Sequence, residues 1–147
     1  MHSDISSCIF CKIIKNKAPA VRVYEDNETI AFMDKAPFNL GHTLVIPKKH
    51  YALLTDMNDE EVGRLFVVTR RIVKAVFEAI CADGVNVTQS NGEAASQDIF
   101  HVHVHVVPRF KGDSKESFGF FPQRKRFSEL EIEETASRIR RALTELI

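Results

Sequence analysis

The sequence has no surplus of either charge: twenty Lys and Arg balance twenty Asp and Glu. Proteins that bind nucleic acid or anionic membranes by electrostatics usually carry an excess of one sign, so neither partner is expected here. It also lacks an apolar run of transmembrane length and a signal-peptide pattern at its start, and a cytoplasmic location is expected. Cysteine is scarce, with three residues in all. An odd count argues against a secreted disulfide scaffold and for an intracellular protein with a metal or redox pair. Internal repeats, low-complexity tracts and long linkers are missing as well. What remains is an ordinary soluble composition, 44% apolar and 27% charged over 147 residues. That length suits one domain spanning 1–147, able to build a core without disulfides, with 1–7 as a disordered tail.

Periodicity sets out the elements. Residues 9–15 read as a short helix or turn carrying Ile9, Phe10, Ile13 and Ile14. Val21 to Glu25 and Thr29 to Asp34 form a hairpin across Asp26-Asn27. Thr43 to Ile46 is a third strand, stopped by Pro47. Asn58 to Cys81 is the strongest helix, capped by Asn58 or Thr55, with Val62, Leu65, Phe66, Thr69, Ile72, Val73, Val76, Phe77 and Ile80 at helical spacing. Val85 to Ser90 and His101 to Val107 are the fourth and fifth strands, separated by a small polar loop. A last helix occupies 128–147, opened by the capping pair Ser128 and Glu131. Ile132, Ala136, Ile139, Leu143 and Leu146 form its stripe. The pattern predicts an α+β fold with a mainly antiparallel five-stranded sheet, a long central helix and a C-terminal helix.

The chemistry concentrates in His101-Val102-His103-Val104-His105. In a strand, alternate side chains share a face, so three imidazoles line one side and the valines bury the other. End to end they span about 13 Å, too far for one ion whose bonds to nitrogen are about 2 Å. Neutral imidazole is a competent nucleophile near neutral pH, and attack on phosphorus gives a phospho-histidine type intermediate. Neighbouring histidines can hold phosphate oxygens and protonate a leaving group. Backbone N–H groups of the loop before the strand can form an anion nest. Cys8 and Cys11, spaced C-x₂-C, suit half a zinc site, a redox pair or two buried thiols. Cys81, at a helix end, reads as a small core residue.

The run His101-Val102-His103-Val104-His105-Val106-Val107 resembles the histidine triad (HIT) family of nucleotide hydrolases and transferases. Ile9-Phe10-Cys11-Lys12-Ile13-Ile14, Ala31-Phe32-Met33-Asp34 and the segment from Gly41 through Pro47-Lys48-Lys49-His50 are similar to family segments in the same order, so the resemblance covers Cys8 to Arg109. It implies that His103 is the nucleophile of a covalent nucleotidyl intermediate at an α-phosphate, and that His105 contacts the phosphate. It further implies that Asn91 contacts phosphate or leaving group, that Asp34 holds the ribose hydroxyls, and that Ile9, Phe10, Ile13 and Phe32 wall a purine pocket. Plain core packing is the competing reading for those four. Many members carry Gly-Gln-Ser/Thr before the triad. Here Ser96-Gln97-Asp98 stands in its place, so Ser96 supplies a hydroxyl, while ionised Asp98 either serves through its backbone N–H or points away. The zinc-carrying branch implies a structural Cys₂His₂ site of Cys8, Cys11, His50 and His101.

The resemblance also implies a homodimer whose sheets join, and substrates that are purine nucleoside phosphoramidates or dinucleoside polyphosphates. The competing function is a nucleotide-binding regulatory or scaffold protein with incidental hydrolysis. His42 reads as a partner of the triad or a structural histidine. Arg109 to Arg126, with Phe110, Phe118, Phe120 and Phe121, reads as a loop folded on its own protein, a substrate-closing element or, least favoured, an RNA contact.

Overall fold

The structure, a computed structural model, describes residues 5–114 and 121–146. Five strands form one sheet: β1 (Arg22–Glu25), β2 (Thr29–Met33), β3 (Thr43–Pro47), β4 (Gly84–Gln89) and β5 (Val104–Arg109), in the order β1-β2-β3-β5-β4. Every pairing is antiparallel. Three α-helices accompany it: α1 (Ile9–Ile14), α2 (Asp59–Ile80) and α3 (Glu129–Leu146). The expected α+β class with a long central helix is therefore observed. No helix among the described residues is long and apolar enough to cross a membrane.

Local chemistry explains the boundaries. Asp26 Oδ1 accepts the N–H groups of Glu28 and Thr29, both at 2.8 Å, and turns the chain between β1 and β2. Asn58, not Thr55, caps α2: its Oδ1 accepts from Glu61 N (2.9 Å), and Glu61 Oε1 accepts from Asn58 N (3.0 Å). Ser128 Oγ accepts from Glu131 N at 3.0 Å and opens α3.

Both faces of the central strands are covered, which is why β2 and β3 are buried throughout. One face carries Ala31, Met33, Val45, Val104 and Val106 against Leu65, Val68, Ile72 and Val76 of α2 and Ile132, Ala136 and Ile139 of α3. The opposite face carries Ile30, Phe32, Leu44 and Ile46 against Cys8, Phe10, Cys11 and Ile13 around α1. Gly41, immediately before β3, needs to be glycine. Its φ is +102°, and a Cβ there would sit 2.5 Å from Ile80 Cδ1 and 3.2 Å from Pro108 Cγ.

Several expectations are corrected. The fifth strand begins at Val104 rather than His101, because the N–H of Val102 donates to the carbonyl of Tyr51 (2.7 Å) instead of joining the ladder. Cys81 is exposed, not core: it ends α2 in a left-handed conformation, φ 51°, outside the packed face. Phe66 and Phe77, 37% and 43% exposed, belong to a second apolar face of α2 that the described residues leave open. Of the expected N-terminal tail, Ile5–Ser7 forms a 3-10 turn, and the rest lies outside the described residues. Phe118 and Phe120 lie outside them too.

Candidate functional site

Two clusters of side chains meet at the start of β5. In the first, single ligand atoms of Cys8, Cys11, His50 and His101 lie within 4.8 Å of one another. Cys8 forms the N-cap of α1, its sulfur accepting from Cys11 N at 3.4 Å, so C-x₂-C spacing on one helical turn points both sulfurs inward. His101 Nδ1 lies 3.5 Å from Cys8 Sγ and 3.6 Å from Cys11 Sγ, and His50 Nδ1 lies 3.2 Å from Cys11 Sγ. His101 is fully buried, and its Nε2–H donates to Pro47 O at 2.8 Å. A neutral ring with its proton on Nε2 leaves the Nδ1 lone pair aimed at the sulfurs, as ligation requires. Burial lowers the His101 pKa to about 4, against a smaller opposing effect of the Pro47 carbonyl. Burial and the adjacent Cys8 push the Cys11 thiol up to about 11, against a smaller opposing effect of Lys15. A metal ion reverses that preference outright. Two sulfurs and two imidazole nitrogens at this spacing fit a tetrahedral zinc ion.

The second cluster comprises Asp34, His42 and His105. His42, fully buried, stacks on Phe38 with ring centroids 5.2 Å apart. Its Nδ1 accepts the N–H of Phe38 at 3.2 Å. A backbone N–H can only donate, so the neutral His42 ring carries its proton on Nε2. That proton is donated to His105 Nδ1, 2.9 Å away. His105 then holds its own proton on Nε2, the outer edge of the ring. Burial lowers the His42 pKa to about 3 and that of His105 to about 4, so both rings are neutral near pH 7. A single backbone amide thus fixes two tautomers in series.

His103 stands between the clusters. Its Nδ1–H donates to the carbonyl of His101 at 2.8 Å, so the neutral ring presents its lone pair on Nε2. Phe10 contacts the His103 ring edge-on (centroids 5.2 Å), and His105 lies 5.0 Å away on its other side. Asp98 does not point away: its Oδ1 lies 3.6 Å from His103 Nε2, on a side chain 68% exposed.

Other expected residues fall elsewhere. Gln97 is 3% exposed and faces inward. Its Oε1 accepts from Gly92 N (2.7 Å), and its Nε2 donates to Ala52 O (2.8 Å) and Ile99 O (3.1 Å). These bonds brace the loop with Gln97 turned inward. The expected anion nest is reduced for the same reason. The N–H groups of Ala95 and Gln97 bond to Gly92 O, and that of Ser96 bonds to Glu93 O. Ser96 is exposed in a left-handed conformation, φ 70°. Asn91 Oδ1 accepts from Leu54 N (2.8 Å) and Gln89 Nε2 (3.1 Å), which ties it to the neighbouring loop. Phe10, Ile13 and Phe32 are buried at 3%, 6% and 3%, whereas Ile9 is 38% exposed.

Within the segment Arg109 to Arg126, read above only as a whole, Arg124 has a specific partner. Its guanidinium donates to Asp34 Oδ2 at 3.0 Å, across 90 residues of chain. The one available signal was the basic triplet Arg124-Lys125-Arg126. Arg109 is locked elsewhere, to Asp113 and to Asn86 Oδ1 at 2.9 Å.

Comparison with known proteins places this geometry. Residues 15–112 match the HIT domain family. An uncharacterised HIT-like protein of Methanocaldococcus jannaschii is 44% identical over 108 residues, 74% of this chain and 83% of that protein. An adenosine 5'-monophosphoramidase of Schizosaccharomyces pombe is 41% identical over 103 residues, 70% of this chain and 74% of that protein. The crystal structure of a zinc-bound histidine triad family protein from Mycobacterium smegmatis superposes with a TM-score of 0.83 at 43% identity, covering 97% of each chain.

Proposed function

We propose, from the premise that this chain belongs to the HIT domain family, that it is a hydrolase of purine nucleotides working through a nucleotidyl-His103 intermediate. The observation that carries the reading is the tautomer of His103. With Nδ1–H held by the His101 carbonyl, Nε2 is the free nucleophilic nitrogen. Its lone pair forms a P–N bond at the α-phosphorus while the P–N or P–O bond to the leaving group breaks. The leaving group takes that electron pair and a proton from water. Water then attacks the same phosphorus, the bond to Nε2 breaks, its pair returns to the ring, and the mononucleotide leaves. His105 donates from Nε2 to a phosphate oxygen, where negative charge grows in the transition state.

Asp34 takes the ribose hydroxyls, and Ile9, Phe10, Ile13 and Phe32 bound the base. Ser96 and Asn91 lie on the phosphate side. The S. pombe relative's activity favours phosphoramidates over dinucleoside polyphosphates as the first substrates to try. Cys8, Cys11, His50 and His101 would hold zinc, which supplies architecture: it ties α1, the exit of β3 and the approach to β5 together. We also place a second copy of the chain on the apolar face of α2. Phe66, Val67 and Phe77 are exposed there, beside edge strand β4 with Val87 43% exposed.

Single-turnover labelling with a radiolabelled adenosine phosphoramidate tests the reaction. An acid-labile protein adduct, lost in His103→Ala, is expected. Tight nucleotide binding with neither adduct nor turnover would sink the hydrolase and favour a regulatory nucleotide-binding protein.

A further inference from the structure

Asp34 is already engaged before any ribose arrives, and the way it is engaged has a consequence for specificity. Residues 121–127 lie across the loop that follows β2. Lys125 N donates to Pro37 O (2.8 Å), Lys125 Nζ donates to Phe38 O (2.5 Å) and Asn39 Oδ1 (3.0 Å), and Phe121 stacks on Phe38 at 4.8 Å. Arg124 completes the strap. Its Nη1 donates to Asp34 Oδ2 (3.0 Å) and Ala36 O (2.6 Å), and its guanidinium carbon sits 4.5 Å from the centroid of Phe38.

An ionised carboxylate offers about four acceptor positions, two per oxygen. On Asp34, the Ala36 N–H takes one on Oδ1 at 2.9 Å, and Arg124 takes one on Oδ2. His42 Nε2, 3.7 Å from Oδ2, is too far for a hydrogen bond and spends its proton on His105. One acceptor position stays free on each oxygen, which is the complement of two adjacent hydroxyls. The side chain is only 11% exposed, and a buried carboxylate without a counter-charge is costly and would oppose the substrate's phosphate. The neutral ring of His42 cannot provide that charge. Among the described residues, the cation paired with Asp34 is Arg124.

We infer that Arg124 is a positioning and specificity-determining residue: it orients Asp34 so that one oxygen accepts from each ribose hydroxyl, and so sets a preference for ribonucleotides. This rests on Asp34 being the ribose carboxylate. The guanidinium acts through Asp34, and its contact over the Phe38 ring together with its bond to Ala36 O fixes its direction in a way a lysine would not reproduce.

The test uses the metal-loaded protein and two substrates, adenosine 5'-phosphoramidate and its 2',3'-dideoxy analogue. In the wild type, kcat/KM favours the ribose substrate. In Arg124→Gln the ribo-to-dideoxy ratio falls about tenfold or more, the loss expected for one charge-assisted hydrogen-bond arrangement, and the change lies in KM rather than kcat. Arg124→Lys keeps part of the ratio. Equal losses on both substrates would make Arg124 merely structural and overturn the proposal. A lower KM for the ribose substrate would also overturn it, by making Arg124 an obstruction. Equilibrium binding of AMP and 2',3'-dideoxyAMP repeats the comparison without turnover. Absence of turnover with the binding ratio intact overturns the hydrolase reading alone. A wild type that ignores the hydroxyls overturns both the Asp34 assignment and this proposal.

Discussion

Lowering the pH from 7.5 to 5 should destabilise the fold through the His42–His105 pair. Folded, the two rings have pKa values of about 3 and about 4, against an ordinary value of 6.5. As the pH falls, the unfolded chain takes its protons first and the native rings do not. The stability they contribute is therefore fully present above pH 6.5 and is lost as pH falls toward their folded values. At pH 5 each ring forgoes about 1.5 pH units of protonation, roughly 2 kcal/mol, so the pair accounts for about 4 kcal/mol. That is a large share of the 5–15 kcal/mol typical of a domain. Urea midpoints measured every half unit of pH give the slope. In the metal-free protein His50 and His101, also lowered by burial, add to it. The decisive quantity is therefore the difference from His42→Asn, whose amide oxygen still accepts from Phe38 N–H but cannot titrate. The variant's stability should fall less steeply, by about 1 kcal/mol per pH unit between pH 6 and 5. Slopes agreeing within ~0.3 kcal/mol per unit would refute the claim that this ring is held neutral by burial.

Metal removal should cost ~3 kcal/mol or more, roughly 10 °C in Tm, and Cys11→Ser should abolish the difference between chelated and zinc-loaded protein. Less than about half an equivalent of zinc per chain after growth with zinc would count against the site. Gly41→Ala should lower the urea midpoint by ~2 kcal/mol, since φ +102° is strained for alanine and Ile80 blocks the Cβ. Gly63→Ala meets nothing within 4 Å and lies inside α2, so it should raise stability by ~0.5–1 kcal/mol. Phe77→Glu should convert the proposed dimer to monomers in sedimentation, and an unchanged mass would remove α2 from the proposed interface.

Much of this was legible in the chain because the governing signals are local. The capping residues before α2 and α3, the hairpin turn at Asp26 and the alternation His101-Val102-His103-Val104-His105 each depend on neighbours within a few positions. The valines of that run are buried as the alternation requires. What escaped depends on distant partners. The ladder begins late because Val102 finds Tyr51, 51 positions earlier. Gln97 turns inward because Ala52 waits for it. Nothing near Arg124 in the chain points to Asp34. The second apolar face of α2 was folded into the first because periodicity records that a residue is apolar, not which surface covers it.

The hydrogen bonds from Phe38 through His42 to His105 all run in one direction, and the far end is a peptide amide, which has no proton to spare. Neutral His105 holds a single ring proton, and losing it would leave an imidazolate, so its outer nitrogen keeps the N–H and only donates a hydrogen bond. The series is a cul-de-sac, not a wire: it fixes which nitrogen His105 shows to the phosphate through a turnover, and any proton the reaction consumes has to enter from the solvent side.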